Sequence, residues 1–218
     1  LKEQNIKDLT PNIMQEDFIK NLRSLIKQGE NRAILVSATG TGKTYASAFA
    51  VKDFNPKRFL FIVHREQIAK QSINAYKNVI KDKTFGLLTG NKKDFNADYI
   101  FATIQTLSKD DIYTKFEKDE FDYIIIDECH HAVADTYRKI INYFEPEFLL
   151  GLTATENRMD NQDVVELFGN NIPYELDVQD SMLSGTLDES SFNTLVNKIN
   201  YGHNPSDEEI LKLSSYIK

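Results

Sequence analysis

Residues 38–44 read ATGTGKT and follow the short apolar run AILVS. Gly40 and Gly42 have no side chain, so this loop can wrap closely around a triphosphate with its backbone N–H groups pointing inward. Lys43 would place a positive charge against the β- and γ-phosphates, and Thr44 would offer its hydroxyl to Mg²⁺. The stretch therefore predicts a nucleotide-binding loop at the carboxyl end of a buried strand. The loop consists of Thr39, Gly40, Thr41, Gly42, Lys43 and Thr44.

The second half of the predicted site is DECHH at residues 127–131, which follows the apolar run YIII. Asp127 would hold the same Mg²⁺ through the water shell of the ion, and Glu128 would orient the attacking water. Either string alone is a moderate signal. Because both are present and each comes directly after an apolar run, NTP hydrolysis is the leading function, with Lys43, Asp127 and Glu128 as its catalytic residues.

Apolar, β-rich runs alternate with helical patterns along the chain. The predicted strands are 33–37, 59–63, 85–88, 99–103, 123–126 and 148–152. These runs are continuous rather than alternating, as expected for strands that are buried on both faces of a parallel sheet. Helical patterns lie at about residues 14–25, 43–52, 65–81 and 137–144. The alternation predicts an α/β sandwich with right-handed crossovers, in which ATGTGKT and DECHH meet at the carboxyl edge of the sheet.

Charge is unevenly distributed over the 218 residues, whose formal net charge is −7. Residues 1–155 carry 22 basic and 21 acidic side chains, whereas residues 156–218 carry 4 and 12. Global charge therefore gives no support for nucleic-acid binding. The nearly neutral balance of residues 1–155 still allows a local basic groove there. The acidity is a property of the last quarter of the chain.

No stretch approaches the roughly 20 apolar residues that span a bilayer, and the first ten residues lack the apolar core of a signal peptide. The single cysteine, Cys129, suits a reducing compartment. We therefore expect a cytoplasmic protein without a membrane segment. Cys129 and the two histidines after it do not predict a zinc site, because consecutive side chains point in different directions.

The sequence pattern of the chain changes after about residue 180. Residues 181–191 (SMLSGTLDESS) resemble a linker, and short helical patterns follow at 192–199 and 206–217. We therefore expect one α/β domain over residues 1–180 and a linker with a short helical tail over residues 181–218.

Taken together, these motifs resemble the first motor domain of superfamily 2 DNA/RNA helicases, in the branch of type I and type III restriction-enzyme motor subunits and DEAD/DEAH-box proteins. The resemblance covers about residues 10–180. It implies a RecA-like P-loop NTPase fold, a three-layer sandwich with a mostly parallel sheet, and ATP and Mg²⁺ as cofactors. The matching segments, in family order, are ATGTGKT (38–44), FIVHREQIAKQ (61–71), Thr89-Gly90, FATIQTL (101–107), the DExH-type IIIDECHH (124–131) and LGLTAT (150–155).

The resemblance also implies roles for residues outside the two loops. Gln15 would bind the adenine edge, because an amide can both donate and accept hydrogen bonds. Three residues would couple nucleotide state to the grip on the strand: His130, Thr153 and Thr155. Five would face the nucleic-acid backbone, positioning a strand without specifying its sequence: Arg65, Thr89, Gly90, Thr103 and Gln105. The residues alone leave open a simpler alternative, in which Gln15 and Arg65 are solvated residues of their helices.

Two features depart from the family pattern. Glu156 stands after TAT where the family usually has proline. Residues 181–218 are also too few for a second RecA-like domain with its arginine fingers, so we expect the chain alone to bind ATP, hydrolyse it poorly and not translocate. The expected partners are nucleic acid, with DNA favoured, and a second motor lobe or a nuclease or specificity subunit. The alternative is a non-catalytic, one-lobed module that binds nucleic acid or a protein.

Overall fold

The computed structural model describes residues 9–37, 42–154, 162–173 and 175–176, the last pair and residue 162 by their backbone only. In this part of the chain seven strands form a single sheet: β1 Arg32–Ser37, β2 Phe59–Val63, β3 Phe85–Leu88, β4 Tyr99–Thr103, β5 Tyr123–Ile126, β6 Phe148–Thr153 and β7 Glu175–Leu176. They lie in the order β3-β4-β2-β5-β6-β1-β7, and every pairing between these strands is parallel.

Helices connect the strands and cover both faces of the sheet. They are α1 Ile13–Lys27, α2 Lys43–Phe54, α3 Glu66–Val79, α4 Ile104–Leu107, α5 Asp110–Tyr113, α6 Asp135–Tyr143 and α7 Gln162–Leu167, with a 3₁₀ turn at Cys129–His131. Within the described ranges, no helix has both the length and the apolar character that crossing a bilayer requires.

The predicted α/β fold is confirmed. All six predicted strands are present, with β1 beginning one residue earlier and β6 ending one residue later than expected. The four predicted helices are also present, whereas the short α4, α5 and α7 and the two-residue β7 were not predicted. The proposed boundary near residue 180 and the helical patterns at 192–199 and 206–217 lie outside the described residues.

Two apolar layers explain why the strands have no polar alternation. Leu35, Phe61 and Phe101 point to the face that α1, α2 and α3 cover. Their neighbours in the chain, such as Leu60 and Ile100, point to the opposite face, against α4, α5, α6 and α7. Because successive side chains of a strand alternate between faces, both sets must be apolar for both faces to be buried.

Gly151 in β6 is a point of close approach beneath the candidate site. A Cβ atom there would lie 2.8 Å from Cys129 Sγ and 2.9 Å from Phe168 Cζ. We expect Gly151→Ala to lower the free energy of unfolding by about 1–3 kcal/mol, the usual cost of overpacking a filled core. Denaturant titration checks this. The control is Gly90→Ala, because a Cβ atom at Gly90 has no heavy atom within 4 Å. An equal effect of the two substitutions would contradict the packing argument.

Candidate functional site

The two predicted halves of the nucleotide site converge at the carboxyl edge of the sheet. β6 lies between β1 and β5, so the ends of β1 and β5 are two strand spacings apart, about 10 Å. α2 begins at Lys43, directly after Gly42, whose φ of 85° is the left-handed conformation that favours glycine. Residues 38–41, which include the predicted Thr39, Gly40 and Thr41, lie outside the described residues.

Asp127 and Lys43 are close enough to interact electrostatically. Burial of the Asp127 carboxyl, followed by the charge of the neighbouring Glu128, raises the pKa of Asp127 to about 6. The Lys43 ammonium opposes this shift. Asp127 Oδ1 also accepts a hydrogen bond of 3.0 Å from the backbone N–H of Glu128. The structure thus brings together the basic and acidic residues that the sequence places about eighty positions apart.

The residues at this edge fit a magnesium-bound nucleotide. A desolvated carboxylate beside a second carboxylate has a deficit of positive charge that a divalent cation would satisfy. Thr44 lies half-buried on the first turn of α2, next to Lys43. This end of α2 is also where backbone N–H groups have no partner within the helix, which suits phosphate oxygens.

A network below α2 supports this first turn. Ser47 Oγ donates a hydrogen bond of 2.9 Å to the carbonyl oxygen of Thr44, and it lies 2.8 Å from the buried Tyr76 hydroxyl on α3. The contact could not be predicted from the sequence, because Ser47 and Tyr76 lie on different helices and are 29 residues apart in the chain.

Glu128 has an unusual backbone. Its φ of 50° lies in the left-handed region, which is costly for a residue with a side chain, and the 3₁₀ turn Cys129–His131 begins directly after it. His130 Nδ1 lies 3.4 Å from Glu128 Oε2. Burial, and then the neighbouring His131, lowers the pKa of His130. Glu128 and His130 are therefore held together by one tight turn.

Gln15 lies at the same edge, and the alternative in which it is a solvated residue is wrong, because its side chain is buried. Gln15 and the helix N-cap Asn12 form a capping box: Asn12 Oδ1 accepts from the N–H of Gln15 at 2.9 Å, and Gln15 Oε1 accepts from the N–H of Asn12 at 3.0 Å. Gln15 Nε2 lies 3.5 Å from where a Cβ atom of Gly42 would stand. The capping bond leaves the Nε2 group of Gln15 directed toward Gly42.

The five predicted nucleic-acid residues divide into two groups. Arg65 at the N-cap of α3, Gly90 and Gln105 are exposed. Thr89 and Thr103 are buried, and Thr103 Oγ1 donates to Thr106 Oγ1 at 2.9 Å. The hydroxyls of these two threonines do not face solvent. Their positions therefore do not support the predicted contacts with the nucleic-acid backbone.

The coupling residues are only partly described. Thr153 is the last residue of β6, is buried, and pairs with Val36 of β1. It thus lies beside the strand that leads into the nucleotide loop. Thr155 and the departure at Glu156 lie outside the described residues.

Comparisons with known proteins identify the family of this chain. Residues 8–158 match the family model described as type III restriction enzyme, res subunit. The chain is 30% identical over 177 residues to the type I restriction enzyme EcoAI endonuclease subunit of Escherichia coli, covering 74% of this chain and 21% of that protein. It is 28% identical over 170 residues to the DNA 3'-5' translocase XPB2 of Sulfurisphaera tokodaii, covering 73% of this chain and 36% of that protein.

The chain therefore spans about a fifth to about a third of the length of these curated relatives. Among solved structures, the Hef helicase domain of Pyrococcus furiosus superimposes with a TM-score of 0.61 at 21% identity, covering 77% of this chain and 38% of that one. At this identity the match shows a shared fold. The expected membership of the superfamily 2 motor-domain fold is confirmed, and the chain belongs to the family of the type III restriction enzyme res subunit.

Proposed function

We propose that this chain is the ATP-binding motor lobe of a DNA helicase or translocase, with Mg²⁺ as the metal. The observation that carries the proposal is the convergence of Lys43, at the start of α2, with the partly buried Asp127, directly after β5, where the Lys43 charge acts on the Asp127 carboxyl. A bound Mg²⁺ would neutralise the charge on the phosphates and on Asp127. Lys43 would hold the β- and γ-phosphates, and Thr44 and Asp127 would hold the ion.

Within this proposal, the other residues of the edge orient the reactants. Glu128 is positioned by its backbone conformation to fix a water molecule, and the Gln15 amide binds the adenine edge. The bond from Asn12 already occupies one lone pair of Gln15 Oε1 and so limits its rotation. Preorganised polar groups of this kind lower the cost of binding. Mg·ATP binding to wild type and to Lys43→Ala tests the proposal.

We further propose that the 218-residue chain alone turns over slowly as a DExH-type ATPase. An arginine finger is worth about 10³–10⁵ in rate in NTPases that use one, and no Gln-x-x-Gly-Arg-x-x-Arg-like string occurs in residues 181–218. ATPase rates with and without duplex DNA test this. Fast, strongly DNA-stimulated turnover by the isolated chain would contradict it, and salt-dependent DNA binding without turnover would favour the one-lobed binding module.

The proposed partners are nucleic acid, with DNA favoured, and a second motor lobe or a nuclease or specificity subunit. A relative described as a DNA translocase favours DNA, and a relative described as an endonuclease subunit favours the nuclease partner. A cytoplasmic location remains part of the proposal and is supported by the single, buried cysteine, Cys129.

Arg65 is an exposed cation at the N-cap of α3, and its side chain makes no capping bond there. We expect Arg65→Ala to weaken DNA binding several-fold and to reduce the slope of log K against log salt by about 1, because one phosphate contact is lost. Fluorescence anisotropy over a salt series measures both. The control is Arg138→Ala on α6, which removes another exposed arginine. Equal slopes for Arg65→Ala and wild type would remove Arg65 from the interface.

A further inference from the structure

Four side chains form a continuous contact chain along the carboxyl edge of the sheet. Gln105 Nε2 lies 3.2 Å from His64 Nδ1. The His64 and His131 rings are 5.7 Å apart between centroids, and the His131 and His130 rings are 4.1 Å apart. We call this set, Gln105–His64–His131–His130, the histidine relay. Its members follow three different strands, β4, β2 and β5, so the fold alone brings them together.

The two ends of the histidine relay reach different parts of the proposed site. Gln105 is exposed on α4 and is a predicted nucleic-acid contact. At the other end, His130 Nδ1 lies 3.4 Å from Glu128 Oε2, the carboxylate proposed to orient water. The family resemblance implies roles for Gln105 and His130, but it assigns none to His64 or His131.

One contact within the histidine relay, the bond between Gln105 and His64, has a defined donor and acceptor. An amide nitrogen can only donate, so His64 Nδ1 accepts the bond from Gln105, and a neutral His64 then carries its proton on Nε2. This bond orients the His64 ring, whose tilted contact with His131 falls within the usual range for aromatic pairs. A displacement of Gln105 therefore changes the surroundings of His131.

The far end of the histidine relay is attached to a strained turn. Glu128 has a φ of 50°, and the N–H of His131 donates to the Glu128 carbonyl oxygen at 3.1 Å. A left-handed residue other than glycine persists only where its surroundings enforce the conformation. His131 is a member of the turn that enforces it, so the position of His131 bears directly on the Glu128 side chain.

We propose that His64 and His131 are positioning residues that couple the nucleic-acid side of the lobe to Glu128. The proposal rests on the function proposed above. It requires only that DNA and nucleotide favour the same arrangement of the Glu128–His131 turn, and coupling of this kind is reciprocal between the two ligands.

The test measures the coupling factor, defined as the ratio of nucleotide Kd values without and with saturating duplex DNA. The probe is a non-hydrolysable ATP analogue with Mg²⁺, so slow turnover does not interfere. Typical couplings are about 5–150-fold, and we expect wild type to fall in this range. We expect His64→Ala and His131→Ala each to reduce the factor to within about twofold of unity, while either ligand alone binds within about threefold of wild type.

Two further variants separate coupling from a structural effect. His131→Phe keeps an aromatic ring between its neighbours and is expected to retain most of the coupling. Gln67→Ala removes an exposed amide on the first turn of α3 and is expected to behave as wild type. The double variant of His64 and His131 is expected to lose no more than either single variant, because residues in one network are not additive.

The outcomes distinguish the two proposals. Absence of nucleotide binding by wild type would overturn the proposed function, and the coupling proposal with it. Binding of both ligands without coupling in wild type, wild-type coupling in His64→Ala, or loss of coupling in His131→Phe would overturn the coupling proposal alone. As an independent readout, the NMR signals of the His130 and His131 rings should shift when DNA is added to wild type and should not shift in His64→Ala.

Discussion

Lys43→Ala is expected to weaken Mg·ATP binding on the order of 100-fold. Lys43 is the charged residue of the nucleotide loop, and its ammonium already acts on the Asp127 carboxylate across the site. Hydrogen bonds to charged groups contribute about 1.5–3 kcal/mol each, and 3 kcal/mol corresponds to a factor of about 150 in Kd.

The matched control is Lys52→Ala, which removes an exposed lysine from the last turn of the same helix. Both substitutions change net charge equally and both introduce a good helix former, so a difference between them reports the position of the charge. Isothermal titration calorimetry with Mg²⁺ and a non-hydrolysable ATP analogue measures the affinities. Equal affinity in Lys43→Ala and wild type would show that the nucleotide does not bind at this edge.

Much of the fold follows from the sequence, because burial on both faces leaves a strong pattern. Runs such as FLFIV and YIII are short, continuous and rich in β-branched or aromatic residues, so the bounds of β2 and β5 agree with the prediction. α4 and α5 could not be predicted in the same way, since four residues make little more than one helical turn and show no periodicity. β7 has only two residues and is defined by its pairing with β1 rather than by its composition.

Some features of the candidate site could also be predicted from the sequence, and others could not. The meeting of Lys43 with Asp127 was predictable, because the carboxyl ends of parallel strands share one edge. The burial of Thr103 was not, since it depends on Thr106 of α4, a helix that the sequence does not reveal. The contact between His64 and Gln105 likewise requires that β2 and β4 be neighbours, a strand order that is not encoded locally.

The second large effect is expected for Asp127→Asn, which should stabilise the protein without nucleotide and remove its stabilisation by Mg·ATP. The pKa of Asp127 is about 6 in the folded chain, above the ordinary value of 3.8. The folded state therefore binds this proton more tightly than the unfolded state. The contribution of this tighter proton binding to the free energy of unfolding is fully present below about pH 4 and is lost as the pH rises through 6.

Asparagine has no such charge to bury, so at pH 7.5 we expect Asp127→Asn to raise the free energy of unfolding by about 1–2 kcal/mol. A two-unit shift corresponds to at most about 2.7 kcal/mol, and the partial exposure of Asp127 reduces this. The gain over wild type should shrink as the pH falls from 7 to 4. Denaturant titrations at several pH values measure it, and the exposed Asp119→Asn is the control.

Mg·ATP should reverse this order of stability. A ligand at 100 times its Kd stabilises the folded state by about 2.7 kcal/mol, and wild type should gain this amount while Asp127→Asn gains little, because an amide cannot replace the charge that holds the hydrated ion. If Mg·ATP makes wild type more stable than Asp127→Asn, the Asp127 carboxylate takes part in binding the cation. A carboxylate that was only buried would not produce this reversal. If nucleotide with Mg²⁺ stabilises Asp127→Asn as much as wild type, Asp127 does not contribute to holding the metal.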